Sequence, residues 1–223
     1  MTTVSSQTDE AIQRDVLDEL KWDMRVGSNE IGVIVKDGIV TLTGWVESYT
    51  KKLAAEAAAH RVHGVKAVAN DIEVRLPGSA ERTDADLAAA VVSALRWDAG
   101  IPAGKLDVTV SLGWVTLKGE VEYGYQKIDA ERSIRYLSGI TGISNLIVVK
   151  PRVSPSNLKE NIEKKLIRNA ETDAKHITVE VNGSEVILRG TVRSYAEKKA
   201  AEESAWVAPG VTKVDNLITL SLP

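Results

Sequence analysis

Apolar residues along this chain switch between two spacings. Ile12, Val16 and Leu20 recur every four residues, as do Leu87, Val91, Leu95 and then Leu158, Ile162, Leu166. That spacing keeps each set on one face of an α-helix. Each helical stretch is followed by alternation: Ile31, Val33, Val35; Leu106, Val108, Val110; Ile177, Val179, Val181. A period of two is that of a half-buried strand. Turn-forming residues come next, KDG at 36–38, SLG at 111–113 and NGS at 182–184, and each leads into a second alternating run such as IVTLTGWV at 39–46. The two runs and their turn predict a hairpin. A second helix is predicted from near Ser48 to Val62, stopping at Gly64, a residue suited to the left-handed backbone that ends helices. A last strand is predicted over 69–76, 144–150 and 215–222.

The whole pattern occurs three times. Gly44, Gly119 and Gly190 are separated by 75 and then 71 residues, and the same offsets relate Leu20 to Leu95 and Leu166. They also relate Gly64 to Gly139 and Gly210, and Asn70 to Asn145 and Asn216. The predicted fold is α+β: three tandem αββαβ units, at 8–76, 83–150 and 154–223. A hairpin followed by a crossover helix gives each unit a three-stranded mixed sheet with two helices packed on one face. Thr8, Thr83 and Ser154 suit the N-cap of each first helix, and Pro155 suits the first helical position of the third. Residues 1–7 are expected as a disordered tail, 77–82 (PGSAER) as a flexible linker, and 151–153 as a short linker fixing units two and three against each other.

The repeated glycines raise the question of a ligand loop. Val40, Leu42, Gly44 and Val46 share the parity that points at the helices. Gly44, Gly119 and Gly190 are therefore expected to be structural, each letting the second helix come close to the sheet. Small residues on that helix, Ala55, Ala58 and Ala59 in the first copy and Ala201, Ser204 and Ala205 in the third, match this. Neither G-x-G-x-x-G nor G-K-[ST] surrounds any of the three. Gly64, Gly139 and Gly210 are expected to be structural as helix stops.

The pattern I-x-V-x-V, then G-x-V-x-L-x-G-x-V, then a helix ending in G-V-x-x-V-x-N-x-I-x-V resembles the BON domain family. The residues that carry it are Ile31–Val35, Gly38–Val46 and Gly64–Val74; Leu106–Val110, Gly113–Val121 and Gly139–Val149; and Ile177–Val181, Gly183–Val192 and Gly210–Leu220. In the third copy Gly183 stands one place early, with Ser184 at the usual glycine position. The resemblance covers nearly the whole chain after Gln7. It implies a non-enzymatic protein with a role in phospholipid binding and envelope maintenance, in the osmotic-stress response or, as in one cytoplasmic relative, in potassium sensing. Most members of the family carry a secretion signal.

Composition narrows the chemistry. The 223 residues include no Cys and three His, so thiolate chemistry is excluded and metal options are few. His60 and His63 share a helix face, but no third ligand is evident, and a solvated helix end is the expected setting. No Ser/His/Asp arrangement is visible, and no catalytic residue, metal or cofactor is assigned. A net charge of -3 gives no electrostatic reason to expect nucleic acid. No apolar leader opens the sequence and no run is long enough to span a bilayer. A cytoplasmic protein is expected, or a periplasmic one if a leader has been removed.

Function is then expected on surfaces. Trp22, Trp97 and Arg168 occupy equivalent positions off the core stripe, and Lys164 and Lys165 add positive charge in the third unit. These five residues are the expected lipid-binding set, on an anionic phospholipid or membrane surface. The alternatives are a cytosolic scaffold or self-associating module and a potassium-responsive binding protein. The helix from Leu87 to Trp97 is apolar nearly all round and is expected to be covered on more than one side. Ile34, Ile39, Trp45, Trp114 and Ile187 fall on the outer sheet faces, where contact between units is expected.

Overall fold

The computed structural model describes residues 8–27, 30–151, 157–168 and 176–220. The expectations for residues 1–7, 152–153, Ser154, Pro155 and 221–223 lie outside them. The first unit runs α1 (Asp9–Trp22), β1 (Ile31–Lys36), β2 (Ile39–Val46), α2 (Tyr49–Arg61), β3 (Ala67–Asn70) and β4 (Glu73–Val74). The second runs α3 (Asp84–Trp97), β5 (Leu106–Ser111), β6 (Trp114–Val121), α4 (Gly124–Ile134) and β7 (Gly142–Val149). The third runs α5 (Leu158–Arg168), β8 (Ile177–Asn182), β9 (Glu185–Val192), α6 (Tyr195–Trp206) and β10 (Lys213–Leu220).

Each unit forms its own mixed sheet. The hairpin strands pair antiparallel, Val33 opposite Leu42, Val108 opposite Leu117 and Val179 opposite Leu188. The last strand runs parallel to the second, which occupies the centre. In the first unit this edge is divided into β3 and β4, with one register throughout: Ile39 faces Ala67 and Trp45 faces Glu73. The break falls at Asp71, where the other units have Leu146 and Leu217. Asp is a poor strand former, although its N–H still donates to the Leu42 carbonyl at 2.8 Å.

Local chemistry sets the element ends. Thr8 Oγ1 accepts from Ala11 N–H at 3.2 Å, and Thr83 Oγ1 from Asp86 N–H at 3.1 Å. The next residue, Asp9, reaches across to the hairpin, accepting from the N–H groups of Asp37 (2.8 Å) and Gly38 (2.9 Å). Asp84 does the same for Leu112 and Gly113. Both hairpins have positive φ at their two central residues, Asp37 and Gly38, Leu112 and Gly113, as a type I′ turn requires. The third has it at Gly183 alone, which accounts for the glycine standing one place early.

Each unit has its own core. The stripes Ile12/Val16/Leu20, Leu87/Val91/Leu95 and Leu158/Ile162/Leu166 are buried on their sheets. The repeated Asn ties the second helix to the last strand. Asn70 Nδ2 donates to the Lys52 carbonyl and to Glu56, while its Oδ1 accepts from Ile72 N–H. Asn145 and Asn216 make the same three bonds.

Gly44 has the inward parity, but its surroundings differ from the expectation. It is exposed, with φ of 107°, and a Cβ built on it would lie 2.0 Å from the backbone oxygen of Glu30. At Gly119 the obstruction is the Lys105 oxygen at 2.2 Å, and at Gly190 the His176 oxygen at 1.9 Å. The tight approach is therefore with the chain entering the first strand, not with the second helix. Gly64, Gly139 and Gly210 have φ of 87°, 97° and 93°, just beyond the second helices.

Gly44→Ala is expected to destabilise the protein by at least the ~1–3 kcal/mol of a non-glycine residue in this backbone region, because the backbone oxygen of Glu30 must also move. Gly78→Ala, where a Cβ meets nothing within 4 Å, should change stability by less than about 0.5 kcal/mol. Chemical denaturation followed by circular dichroism compares the two; equal effects would refute the steric account.

Candidate functional site

The three units meet through their second helices, and each meeting uses the same two positions. Position one is the first residue of the helix: Tyr49, Gly124 and Tyr195, related by the offsets 75 and 71. Position two is at the far end: His60, Arg135 and Trp206, related by the same offsets. Tyr49 packs into the core of the second unit, within range of the charges on Glu131 and Arg135. Gly124 lies under Trp206, whose ring joins the cores of the second and third units; a Cβ there would stand 2.5 Å from the ring. Tyr195 stacks on His60 with ring centroids 3.7 Å apart and planes 8° from parallel.

The start of α2 thus meets the end of α4, the start of α4 the end of α6, and the start of α6 the end of α2. A head-to-tail contact that closes after three steps is a ring, built here within one chain. Side-chain volumes complement each other around it. Where the first position is Gly, the second is Trp; where it is Tyr, the second is Arg or His. Three residues before the second position on each helix, Arg132 of α4 pairs with its equivalent Glu203 of α6 at 2.9 Å. Both side chains are about half exposed, so the pair contributes no more than about 1 kcal/mol.

His60 is half-buried at the closing junction. Burial pushes its pKa below the ordinary imidazole value, with Glu56 on its own helix opposing and Lys199 and Lys198 on α6 reinforcing the shift. At His60 the expected solvated helix end is therefore replaced by a half-buried contact between units, while His63 is exposed. Asp23, beside the end of α1, is held well below the carboxylate range by its hydrogen bonds with Arg25 and Arg61, against the opposing effect of burial. Among the described residues no cluster of His, Asp and Glu has metal-binding geometry, and no helix is long and apolar enough to cross a membrane.

Two cavities flank the His60–Tyr195 stack, and Ala57 and Lys199 line both. One, of about 530 Å³, lies between the end of α2 and the start of α6. The other, of about 600 Å³, lies between α2, the end of α4 and the start of α6.

The residues singled out from sequence lie away from these junctions. Trp22 and Trp97 project at the ends of α1 and α3, 81 % and 86 % exposed. Lys164, Lys165 and Arg168 are exposed on the last turns of α5, with Lys164 paired to Glu160 at 2.6 Å. Helix α3 buries only the Leu87/Val91/Leu95 stripe, and Ala85, Ala89 and Ser93 are exposed. The other units do not cover it, since small Ala side chains make it apolar without adding a second ridge to pack. The outer sheet faces are also open, with Ile34, Ile39, Trp114, Leu146, Val148 and Leu217 exposed. The units join through helices because the second helices carry the matched aromatic, basic and glycine positions.

The family model of the BON domain matches residues 8–75, 83–151 and 154–221. The chain belongs to the BON domain family. Among curated proteins this BON protein is similar to osmotically-inducible protein Y of Escherichia coli (strain K12), 28% identical over 141 residues, covering 60% of this chain and 70% of that one. Among solved structures it aligns with CdsD, a structural protein of the type III secretion system of Chlamydia trachomatis. The identity is 12%, over 93% of this chain and 91% of that chain, with a TM-score of 0.27. The C-terminal domain of CdsD gives the same identity and TM-score over 94% of this chain and 96% of that one.

Two outcomes follow for the BON ring. Gly124→Tyr is expected to cost about 1–3 kcal/mol by overpacking against Trp206, and adding Trp206→His should recover part of that; a double variant no better than the sum of the singles would refute the volume matching. Because His60 has a lowered pKa in the folded chain, its contribution is full above the unfolded imidazole value and is lost as pH falls through the folded one. Stability should drop between pH 7.5 and 5 by more in the wild type than in His60→Phe, measured by urea unfolding at each pH.

Proposed function

We propose that this BON protein is a non-enzymatic protein of the osmotic-stress response that associates with anionic phospholipid through the ends of its first helices. The observation that carries the reading is the exposure of Trp22 and Trp97 at equivalent positions. Both indoles project from the last turn of a first helix, as the exposed Lys165 and Arg168 do on α5. An indole sits well at a boundary that is half apolar and half wet. Each cation near an anionic surface adds about 1 kcal/mol. Asp15, Asp18 and Glu19 on α1 oppose binding there, which makes the third unit the strongest electrostatic contact. The osmotically inducible relative supports the physiological setting.

A second reading is a protein-binding module that uses the open sheet of the second unit, where Trp114, Leu146 and Val148 are exposed. Contiguous exposed apolar side chains mark interaction surfaces.

Co-flotation with phosphatidylcholine vesicles carrying rising fractions of phosphatidylglycerol distinguishes the two. Flotation should rise with anionic content and fall with salt, with a blue shift of tryptophan emission. It should be reduced by Trp22→Ala with Trp97→Ala, and separately by Lys165→Ala with Arg168→Ala. No flotation at low salt would overturn the lipid reading.

A further inference from the structure

The three junctions of the ring are not equally secured. Tyr49 packs against the core of the second unit, and Trp206 against the cores of the second and third. Among the described residues, Tyr195 packs against none of the three cores. Its ring rests on His60, with centroids 3.7 Å apart, and a cavity lies on each side of the stack. The chain itself joins the first unit to the second and the second to the third, but no segment joins the third directly to the first. The closing junction is therefore held by side chains alone. At its centre stands the one residue type whose ordinary pKa lies near neutral pH.

The setting of His60 suits the neutral ring and not the charged one. Its Nδ1 is buried without a hydrogen-bond partner. In the neutral imidazole that nitrogen can be the acceptor, and an unmet lone pair is all it costs. In the imidazolium both nitrogens carry protons, and a buried charged donor without an acceptor costs more than a neutral one. The surroundings act in the same direction. Burial holds the pKa below the ordinary imidazole value, Glu56 on α2 opposes, and Lys199 and Lys198 on α6 add to the effect of burial. Glu56 is itself engaged, accepting from the Asn70 amide at 3.0 Å. The arginines around the two cavities are paired: Arg61 with Glu19 and Asp23, Arg25 with Asp23, Arg135 with Glu131 and Arg193 with Glu197. His63 lines the outer cavity and is exposed, and Tyr136, on the second unit, lines the inner one. An imidazolium over the Tyr195 ring gains a cation–π attraction, which is smaller than the cost of an unmet charged donor.

We propose that the closing junction is an acid-operated latch: protonation of His60 separates α6 from α2 and opens the ring, while the other two junctions hold. A group that takes a proton more readily in the open form favours that form as pH falls. The closed ring therefore dominates above the ordinary imidazole range, and opening proceeds below it. Each unit keeps its own core, so the open form consists of folded units linked through the second one. The acid-sensitive part of the stability is thereby local to one junction. Opening uncovers Tyr195 and the apolar wall of the outer cavity, including Val62, Val65 and Ala196. The latch is independent of lipid association through the first helices, because neither cavity is lined by Trp22, Trp97, Lys165 or Arg168.

The chain contains no Cys, so introduced pairs can carry spin labels in the full-length protein. Lys36, Ser111 and Asn182 are exposed and equivalent, each ending the first strand of its unit. Lys36→Cys with Asn182→Cys spans the closing junction. Lys36→Cys with Ser111→Cys, and Ser111→Cys with Asn182→Cys, span the other two. Distances are measured by pulsed dipolar electron spin resonance from pH 7.5 to pH 5. The 36–182 distance should lengthen and broaden reversibly, with the other two distances and the far-ultraviolet circular dichroism unchanged. Its midpoint should coincide with the titration of the His60 imidazole, followed by NMR in the unlabelled chain. His60→Phe keeps a neutral ring on Tyr195 and leaves His63 and His176 in place, and should abolish the change. An unaltered 36–182 distance at pH 5, an equal change in all three pairs, a midpoint apart from that of His60, or the same opening in His60→Phe would each overturn the proposal. The comparison of midpoints needs no variant at His60, so it decides the matter even where His60→Phe does not fold.

Discussion

The arrangement of this molecule depends on the contact between the first residue of one second helix and the far end of another. Each unit has its own core and its own sheet, so nothing inside a unit dictates where its neighbours go. The contact is heterologous, and such contacts generate open chains unless the rotation closes. Here it closes on the third step, with Tyr195 on His60. The last junction unites the two ends of the repeat array and makes three small domains a single body.

That constraint explains why the second helix has the composition it has. Its inner face must be narrow, because Ala55, Ala58 and Ala59 lie on the sheet with no exposure. Its ends must be bulky and matched, because they meet other units. The Asn on the last strand fixes the helix against its own sheet by binding the Lys52 carbonyl and Glu56. In this way the helix ends are held at a defined height, and the same bond set recurs at Asn145 and Asn216. The cavities beside the His60–Tyr195 stack follow from the same cause. Where Trp206 fills one junction, the pairing of Tyr with His leaves room at another.

Much of the unit was legible in the sequence. Helix faces, hairpins, N-caps at Thr8 and Thr83, and the threefold repeat are local or periodic signals, and each corresponds to a backbone conformation or a single buried face. The role given to Gly44 shows the limit. Strand parity says which way a side chain points in a regular strand, but φ of 107° takes the residue out of that geometry. The neighbour that forbids a Cβ is the backbone oxygen of Glu30, and a backbone atom has no signature in a sequence. The apolar appearance of Leu87 to Trp97 misled for a different reason. Alanine counts as apolar, yet it is small enough to stand exposed at little cost.

The sequence by itself determined three αββαβ units, their cores and their turn chemistry, because those depend on residues near one another or on a strict period. Only the tertiary structure decided that the units join through helices, leave their outer sheets open and close into a ring. Tyr49 meets the end of α4, Gly124 meets Trp206 and Tyr195 meets His60 across separations that no periodic pattern encodes. The one trace in the sequence is compensation between two repeat positions, Tyr/Gly/Tyr against Arg/Trp/His in ring order. It becomes readable once the geometry shows which positions touch, because matching volumes carry meaning only between surfaces in contact.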